Sequence, residues 1–191
     1  MKACLIHGNT RSNSNTEALA MLFADDLNEK GVEVCHFFLR DKNIQSCVGC
    51  NKCHSVLDSF GCVINDDMQE IAKEILLSDL IVYTSPIYTW MPTPSQKAVM
   101  DRTYAFTKYP KNDDAFCLLK KQKYAMIATS GDECERNCDL FDESLRRMAK
   151  FANLSYLGYL AVKDPGNGSI ANSESISKVR VFANKCFEAI K

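Results

Sequence analysis

Alternation is what most constrains this chain. Short apolar runs recur along its 191 residues, and each gives way to a segment whose large apolar side chains fall at helical spacing. The runs are KACLIH (2–7), VEVCHFF (32–38), DLIVYTSP (79–86), KYAMIATSG (123–131) and LSYLGYLAV (154–162). The first helix is predicted from about Ser14 to Lys30, with Leu19, Leu22, Phe23 and Leu27 on one face and Gly31 where a C-terminal cap belongs. Asp66-Asp67 suits the start of a second helix, because carboxylates favour the positive end of the helix dipole. Thr93-Pro94 supplies a capping hydroxyl and a proline at the first helical position, predicting a helix to about Phe106. A fourth helix carries Cys138, Phe141, Leu145, Met148 and Ala152 on its apolar face, and a last one carries Ile176, Val179, Phe182, Cys186 and Phe187. TKYPKNDDAF (107–116) reads as a polar surface insertion and KDPGNGS (163–169) as a loop. Five strands alternating with helices imply a mostly parallel sheet covered on both faces, within one domain spanning residues 1–191.

In such a sheet a ligand binds outside the carboxyl ends of the strands. The loop after strand one, Gly8-Asn9-Thr10-Arg11-Ser12-Asn13-Ser14-Asn15-Thr16, has neither a second glycine nor a Gly-Lys-Ser/Thr sequence. A dinucleotide fingerprint and a triphosphate P-loop are therefore excluded. Hydroxyls, amides, one guanidinium and a helix N-terminus suit a terminal monophosphate instead, although a polar capping loop that binds nothing has the same composition. After strand three, Ser85-Pro86-Ile87-Tyr88-Thr89-Trp90-Met91-Pro92 is apolar and aromatic and holds the only tryptophan. It can cover a flat ring, bury its own aromatics, or face a dimer partner. After strand four, Thr129-Ser130-Gly131-Asp132-Glu133-Cys134 offers a glycine for close backbone approach.

Charge narrows the partners. With 23 basic and 24 acidic residues and no Lys/Arg run, nothing points to nucleic acid or a membrane surface. No apolar run approaches the roughly 20 residues of a membrane span. MKACLIHG is too short an apolar stretch for an export signal, so the cytoplasm is the expected compartment. Ten cysteines there are expected to serve as thiols, metal ligands or redox groups rather than as structural disulfides.

GNTRSNSNT after strand one, CVGCNKC…GCVINDDM before the second helix, SDLIVYTSPIYTWMP, and QKAVMDR at 96–102 occur in this order on the expected elements. Together they resemble the flavodoxin-like NADPH-dependent FMN reductase and iron–sulfur flavoprotein family over about residues 1–135. The resemblance implies a three-layer flavodoxin-like sandwich, a five-stranded parallel sheet of order 2-1-3-4-5, and FMN across the strand ends. Carried over by position, Asn9, Arg11, Ser14, Asn15 and Thr16 would hold the FMN phosphate. Pro86, Ile87, Tyr88, Thr89, Trp90 and Met91 would line the ribityl chain and ring, and Thr129, Ser130, Gly131 and Asp132 would close the site. Relatives usually read Gly-Ser-Pro-Arg in the first loop where this chain has Gly8-Asn9-Thr10-Arg11, which alters the expected geometry. Lys97, Asp101 and Arg102 read as structural or interfacial ion pairs.

Cys47, Cys50 and Cys53 are spaced closely enough for three thiolates to wrap one cluster. In the family's iron–sulfur members a fourth cysteine closes the set; here Cys62 follows after eight residues, more than the usual gap, and a [4Fe–4S] cluster on these four is one expectation. Free thiols or small core residues are another, and zinc a third, with the paired knuckles of a structural site missing. Cys134 and Cys138, four apart, read as a thiol pair or as packing. His7, His36 and His54 have no metal-ligand spacing, and His54 reads as a solvated loop residue.

The resemblance implies an FMN-dependent oxidoreductase using NAD(P)H to reduce a quinone, a nitro or azo compound, a metal ion or free flavin, in a homodimer or homotetramer. No triad or carboxylate pair stands out, as expected where the cofactor carries the chemistry. The competing expectation is an electron carrier with a cluster and a ferredoxin-type partner. A receiver domain of similar topology is excluded, because KACLIHGN lacks the acidic residues that would bind magnesium at the end of the strand.

Overall fold

The computed structural model describes residues 1–166 and 169–191; Asn167 and Gly168, in the predicted KDPGNGS loop, lie outside the described residues. The strands are β1 (Lys2–His7), β2 (Glu33–Phe38), β3 (Leu80–Pro86), β4 (Thr107–Lys108), β5 (Phe116–Cys117), β6 (Lys123–Ser130) and β7 (Ser155–Lys163). The helices are α1 (Asn15–Glu29), α2 (Met68–Leu77), α3 (Pro94–Arg102), α4 (Asp139–Phe151) and α5 (Ser173–Ile190). β2, β1, β3, β6 and β7 form one parallel sheet in that order. The fold is a flavodoxin-like α/β sandwich.

Numbered along the chain, the order is 2-1-3-6-7 rather than the expected 2-1-3-4-5. The reason is the segment read as a surface insertion: its ends, β4 and β5, pair antiparallel as a separate two-stranded ladder. Two-residue strands are too short to show a period in sequence.

Period-two alternation sorts the central strands between two cores. Ala3, Leu5, Leu80, Val82, Ala125 and Ile127 pack on the side of α1 and α5, against Leu19, Phe23, Val179 and Phe182. Cys4, Ile6, Ile81, Tyr83, Tyr124 and Met126 pack on the side of α2, α3 and α4, against Ile71, Val99, Phe141 and Leu145. Each Val, Leu, Ile, Phe or Met among these contributes about 1.5–3 kcal/mol by leaving water.

Caps set where the helices point. Ser14 Oγ accepts Glu17 N–H at 3.3 Å, starting α1 after the loop that follows β1. Thr93 Oγ1 accepts Gln96 N–H at 3.4 Å and donates to Gly8 O at 2.7 Å, so one hydroxyl starts α3 and ties it to the first loop. Gly31 (φ 80°) ends α1, its N–H donating to Asn28 O. The predicted helix to Phe106 ends earlier: α3 stops at Arg102 and a 3₁₀ turn covers Thr103–Phe106, where Thr103 Oγ1 donates to Met100 O at 2.6 Å.

Candidate functional site

The loops after β1, β3, β6 and β7 enclose a cavity of about 440 Å³ at the carboxyl edge of the sheet. Of the expected site residues, Asn9, Arg11, Ser14, Thr16, Pro86, Ile87, Tyr88, Thr129, Ser130 and Gly131 line it. Asn15 lines an adjoining hollow of about 430 Å³ that shares Arg11, Ser14, Asp164 and Gly166. Thr89, Trp90, Met91 and Asp132 lie off the wall. A larger groove of about 600 Å³, between α3 and α4, is bounded by Met100, Tyr104, Leu119, Met148 and Phe151 and has none of the strand-end loops.

The first loop is built from within. Asn9 is buried, and its amide hydrogens reach Arg11 O and Glu17 Oε2, each at 2.7 Å, so Asn9 shapes the cradle. Glu17 is also neutralised by Arg40 at 2.6 Å. Arg11 is exposed and makes no ion pair among the described residues. Thr16 and Thr129 share a hydroxyl contact at 2.6 Å that joins α1 to the end of β6. Gly8 sits where side chains close in: a Cβ there would lie 2.8 Å from Gln96 Cβ and 2.9 Å from Thr93 Oγ1. A Cβ on Gly131 would meet open space, so backbone faces the cavity there.

The loop after β3 does not bury its aromatics. Tyr88 is 46% exposed and Trp90 53%. Tyr88 N–H donates to Met91 O at 2.8 Å and Met91 N–H to Tyr88 O at 3.1 Å. Between them Thr89 (φ 50°) and Trp90 (φ 62°) make a tight turn with two left-handed, non-glycine residues, a conformation that costs about 1–2 kcal/mol per residue. Tyr88 Oη lies 3.1 Å from Thr10 Oγ1, linking this turn to the first loop.

Sequence reasoning missed the contribution of the β7 loop. Asp164, Pro165 and Gly166 form part of the wall, with Asp164 Oδ1 accepting from Asn15 Nδ2 and Gly166 N–H, each at 2.8 Å. The strand-end rule, applied to β7 as well, points to this loop. Asp132 instead turns to Lys163 Nζ at 3.3 Å, and the Glu133 N–H followed by that lysine holds its carboxyl below the usual range.

The cysteine run is not gathered. Cys47 and Cys50 are exposed, while Cys53 and Cys62 are half-buried, and among the described residues no three His, Cys, Asp or Glu side chains are placed to hold a metal ion. Two buried cations anchor this segment. Arg102 Nη1 reaches Asp66 Oδ2 at 2.5 Å, and its Nη2 reaches Cys62 Sγ at 3.5 Å. Lys108, fully buried and without an ion pair among the described residues, donates to Cys53 O at 2.9 Å and Phe60 O at 3.2 Å; burial lowers its pKa. His54 corrects the expectation of a solvated histidine: it is buried, with Nδ1 2.7 Å from Thr107 O and Tyr104 and Tyr109 edge-on to its ring. Lys97 pairs with Asp101 at 2.6 Å on the surface, as a structural ion pair.

A donor-rich cradle at a helix start, an unpaired guanidinium and an exposed aromatic turn fit a phosphorylated ligand with a flat ring. The fold and this edge define the class: a flavodoxin-like protein with a strand-end cavity. Fold comparison agrees. A structure of RosB with bound 8-demethyl-8-formylriboflavin-5′-phosphate superposes with a TM-score of 0.74 at 13% identity, covering 100% of this chain and 79% of that one. The NAD(P)H:quinone oxidoreductase from Methanothermobacter marburgensis gives 0.71 at 14% identity, covering 96% and 97%. The sequence model described as NADPH-dependent FMN reductase matches residues 1–148, and the chain belongs to that family. An iron–sulfur flavoprotein of Methanocaldococcus jannaschii is 34% identical over 103 residues, covering 54% of this chain and 52% of the relative. The chain spans about half the length of the curated iron–sulfur flavoproteins it matches. No helix among the described residues is long and apolar enough to cross a membrane.

Proposed function

We propose that the chain is an FMN-dependent oxidoreductase that takes its electrons from NAD(P)H and delivers them to a small acceptor: a quinone, a nitro or azo compound, a metal ion or free flavin. The observation that carries this reading is the convergence of Arg11, Ser14, Thr16, Tyr88, Thr129 and Gly131 on one cavity at the strand ends. Bound FMN would supply the hydride-accepting ring. The chain's residues hold and orient it. Arg11, which makes no ion pair among the described residues, pairs with phosphate oxygens, and the hydroxyls of Ser14 and Thr16 add donors beside the positive end of α1. Tyr88 covers the ring side of the cavity, and the exposed Trp90 provides an apolar surface next to it. The backbone at Gly131 allows the ligand to approach closely. Asn9 keeps Glu17 turned into the protein, so that this carboxylate does not oppose the phosphate.

Arg11→Ala tests the assignment. Losing a charge-assisted hydrogen bond of about 1.5–3 kcal/mol weakens FMN binding roughly tenfold to a hundredfold. An unchanged dissociation constant, measured by flavin fluorescence quenching, would sink the phosphate assignment.

A second reading, an electron carrier with a cluster on Cys47, Cys50, Cys53 and Cys62 and a ferredoxin-type partner, is favoured by Lys108 and Arg102. Two buried cations beside Cys53 and Cys62 suit an anionic thiolate assembly. The four thiols are not gathered in this structure, so the reading requires the 45–62 segment to rearrange. Iron and sulfide assays on protein purified without oxygen decide: about four of each per chain support it, and neither supports thiols.

A further inference from the structure

Cys134 and Cys138 belong neither to the wall of the strand-end cavity nor to the 47–62 run. They sit one turn apart at the entry to α4, where Cys138 N–H donates to Cys134 O at 2.8 Å. A helical turn closed in this way places the two Cα atoms about 6 Å apart, within the Cα range of disulfides, and its Cβ atoms, about 5–6 Å apart in a regular helix, close to about 4 Å when the bond forms. Their environments differ. Cys134 is half-buried, with Sγ 3.5 Å from Ser130 Oγ on the cavity wall, whereas Cys138 is fully buried among Phe141 and Leu145. An accessible thiol backed by a shielded one is the arrangement that thiol–disulfide exchange needs: one sulfur to attack, one to resolve.

We propose that Cys134 and Cys138 form a redox-active dithiol that exchanges with low-molecular-weight disulfides, Cys134 attacking and Cys138 resolving. The Cys134 thiolate attacks one sulfur of R–S–S–R, forming a Cys134–S–S–R bond and releasing one RS⁻. That thiolate takes the Cys138 proton and leaves as RSH. The Cys138 sulfur then attacks Cys134 Sγ and expels the second RS⁻, which is protonated from water. The dithiol loses two electrons and the disulfide gains them. The hydrogen bond from Cys138 brings Cys134 down to about 6, with a smaller contribution from the Ser130 hydroxyl, and Cys138 is raised in turn. At neutral pH the attacking sulfur is thus mostly thiolate and the resolving one a thiol.

The chain carries its own mapping tool. Trypsin cuts after Arg136, between the two cysteines, so a Cys134–Cys138 bond appears as peptides 124–136 and 137–146 linked together. The whole protein is treated with glutathione disulfide, blocked with iodoacetamide, digested and analysed by mass spectrometry. Wild type is expected to give the linked pair. Cys138→Ala should trap one glutathione on Cys134, and Cys134→Ala should leave Cys138 alkylated only after denaturation. In wild type the pH profile of Cys134 alkylation should have its midpoint near 6, and in Cys138→Ala near the ordinary thiol value of about 8.5. Glutathione that stays on Cys134 in wild type with Cys138 free, or a Cys134 that is unreactive or titrates at the ordinary value in wild type, would overturn the proposal.

Discussion

Arg102→Met is the most informative single change to the scaffold. The guanidinium is 1% exposed and its partner carboxylate, on Asp66, is fully buried. Besides the 2.5 Å bond to Asp66, Nη1 donates to Gln45 O at 3.3 Å, and Nη2 donates to Ile64 O at 3.4 Å and lies 3.5 Å from Cys62 Sγ. Methionine fills much of the volume but donates nothing. Asp66 would keep only the N–H groups of Gln45 (2.8 Å) and Met68 (3.2 Å), leaving a buried carboxylate without a countercharge. Breaking a buried pair from one side costs about 3–5 kcal/mol. With a urea slope of about 2–3 kcal/mol/M for a chain this long, the unfolding midpoint drops by roughly 1–2.5 M. Adding Asp66→Asn removes the stranded charge and should restore part of the loss, a coupling that a double-mutant cycle measures. A single-mutant loss below about 1 kcal/mol, or a double mutant worse than the sum of its parts, would refute the anchoring role of this pair.

Two further perturbations test other parts of the structure. His7 is fully buried, Nε2 3.0 Å from His36 Nδ1 and Nδ1 3.3 Å from Thr84 Oγ1; burial, then the charges of His36 and Arg40, lower its pKa to about 3. An unfolded histidine titrates near 6.5, so below that pH the unfolded chain binds the extra proton. The contribution of His7 is complete above about pH 6.5 and is lost as pH falls toward 3, at up to about 1.4 kcal/mol per pH unit. Urea unfolding across that window should show the slope, and His7→Asn should flatten it. Gly8→Ala forces a Cβ to within 2.8 Å of Gln96 Cβ and 2.9 Å of Thr93 Oγ1, which should cost about 1–3 kcal/mol and weaken FMN retention. Thermal melting and flavin titration report the two effects separately; a melting point within a degree of wild type would show that α3 yields freely.

The framework was readable because local signals repeat. Apolar runs, the hydroxyl cap at Thr93, and Gly31 all lie within a few residues of the boundaries they set. What escaped depends on distant parts of the chain. Lys108, inside a polar stretch, is buried because carbonyls of Cys53 and Phe60, 55 and 48 residues away, accept its protons. His54 is buried against Thr107 O, 53 residues away. Asp164 joins the site through Asn15, 149 residues earlier, and no window of local sequence contains both. In the loops after β1, β3 and β6 the residue types identified the edge, but not which side chains face inward: Asn9 turns its donors back into the loop, and Trp90 stands outside the cavity.

The positions of the two candidate redox centres bear on how they would work together. The strand-end cavity is walled by the loops after β1, β3, β6 and β7 and closed by contacts between side chains far apart in sequence, such as Thr16 with Thr129. The 45–62 segment is held differently, by Lys108 and Arg102 acting on backbone carbonyls, while Cys47 and Cys50 stay exposed. Its anchors lie at Gln45, Cys53, Phe60, Cys62 and Ile64, and between them the backbone turns left-handed at Gly49 (φ 63°), Asn51 (φ 58°) and Gly61 (φ 67°). The exposed stretch at 47–51 contributes no residue to either core, whereas Cys53 and Cys62 pack against one of them, so gathering all four thiols would move more than the exposed stretch. None of the four cysteines lines the strand-end cavity, so absence of iron is expected to leave flavin content unchanged, and Arg11→Ala, which weakens FMN binding, is expected to leave iron content unchanged. Measuring flavin and iron on the same samples separates the two centres: a loss of both from either perturbation would mean that they are not independent.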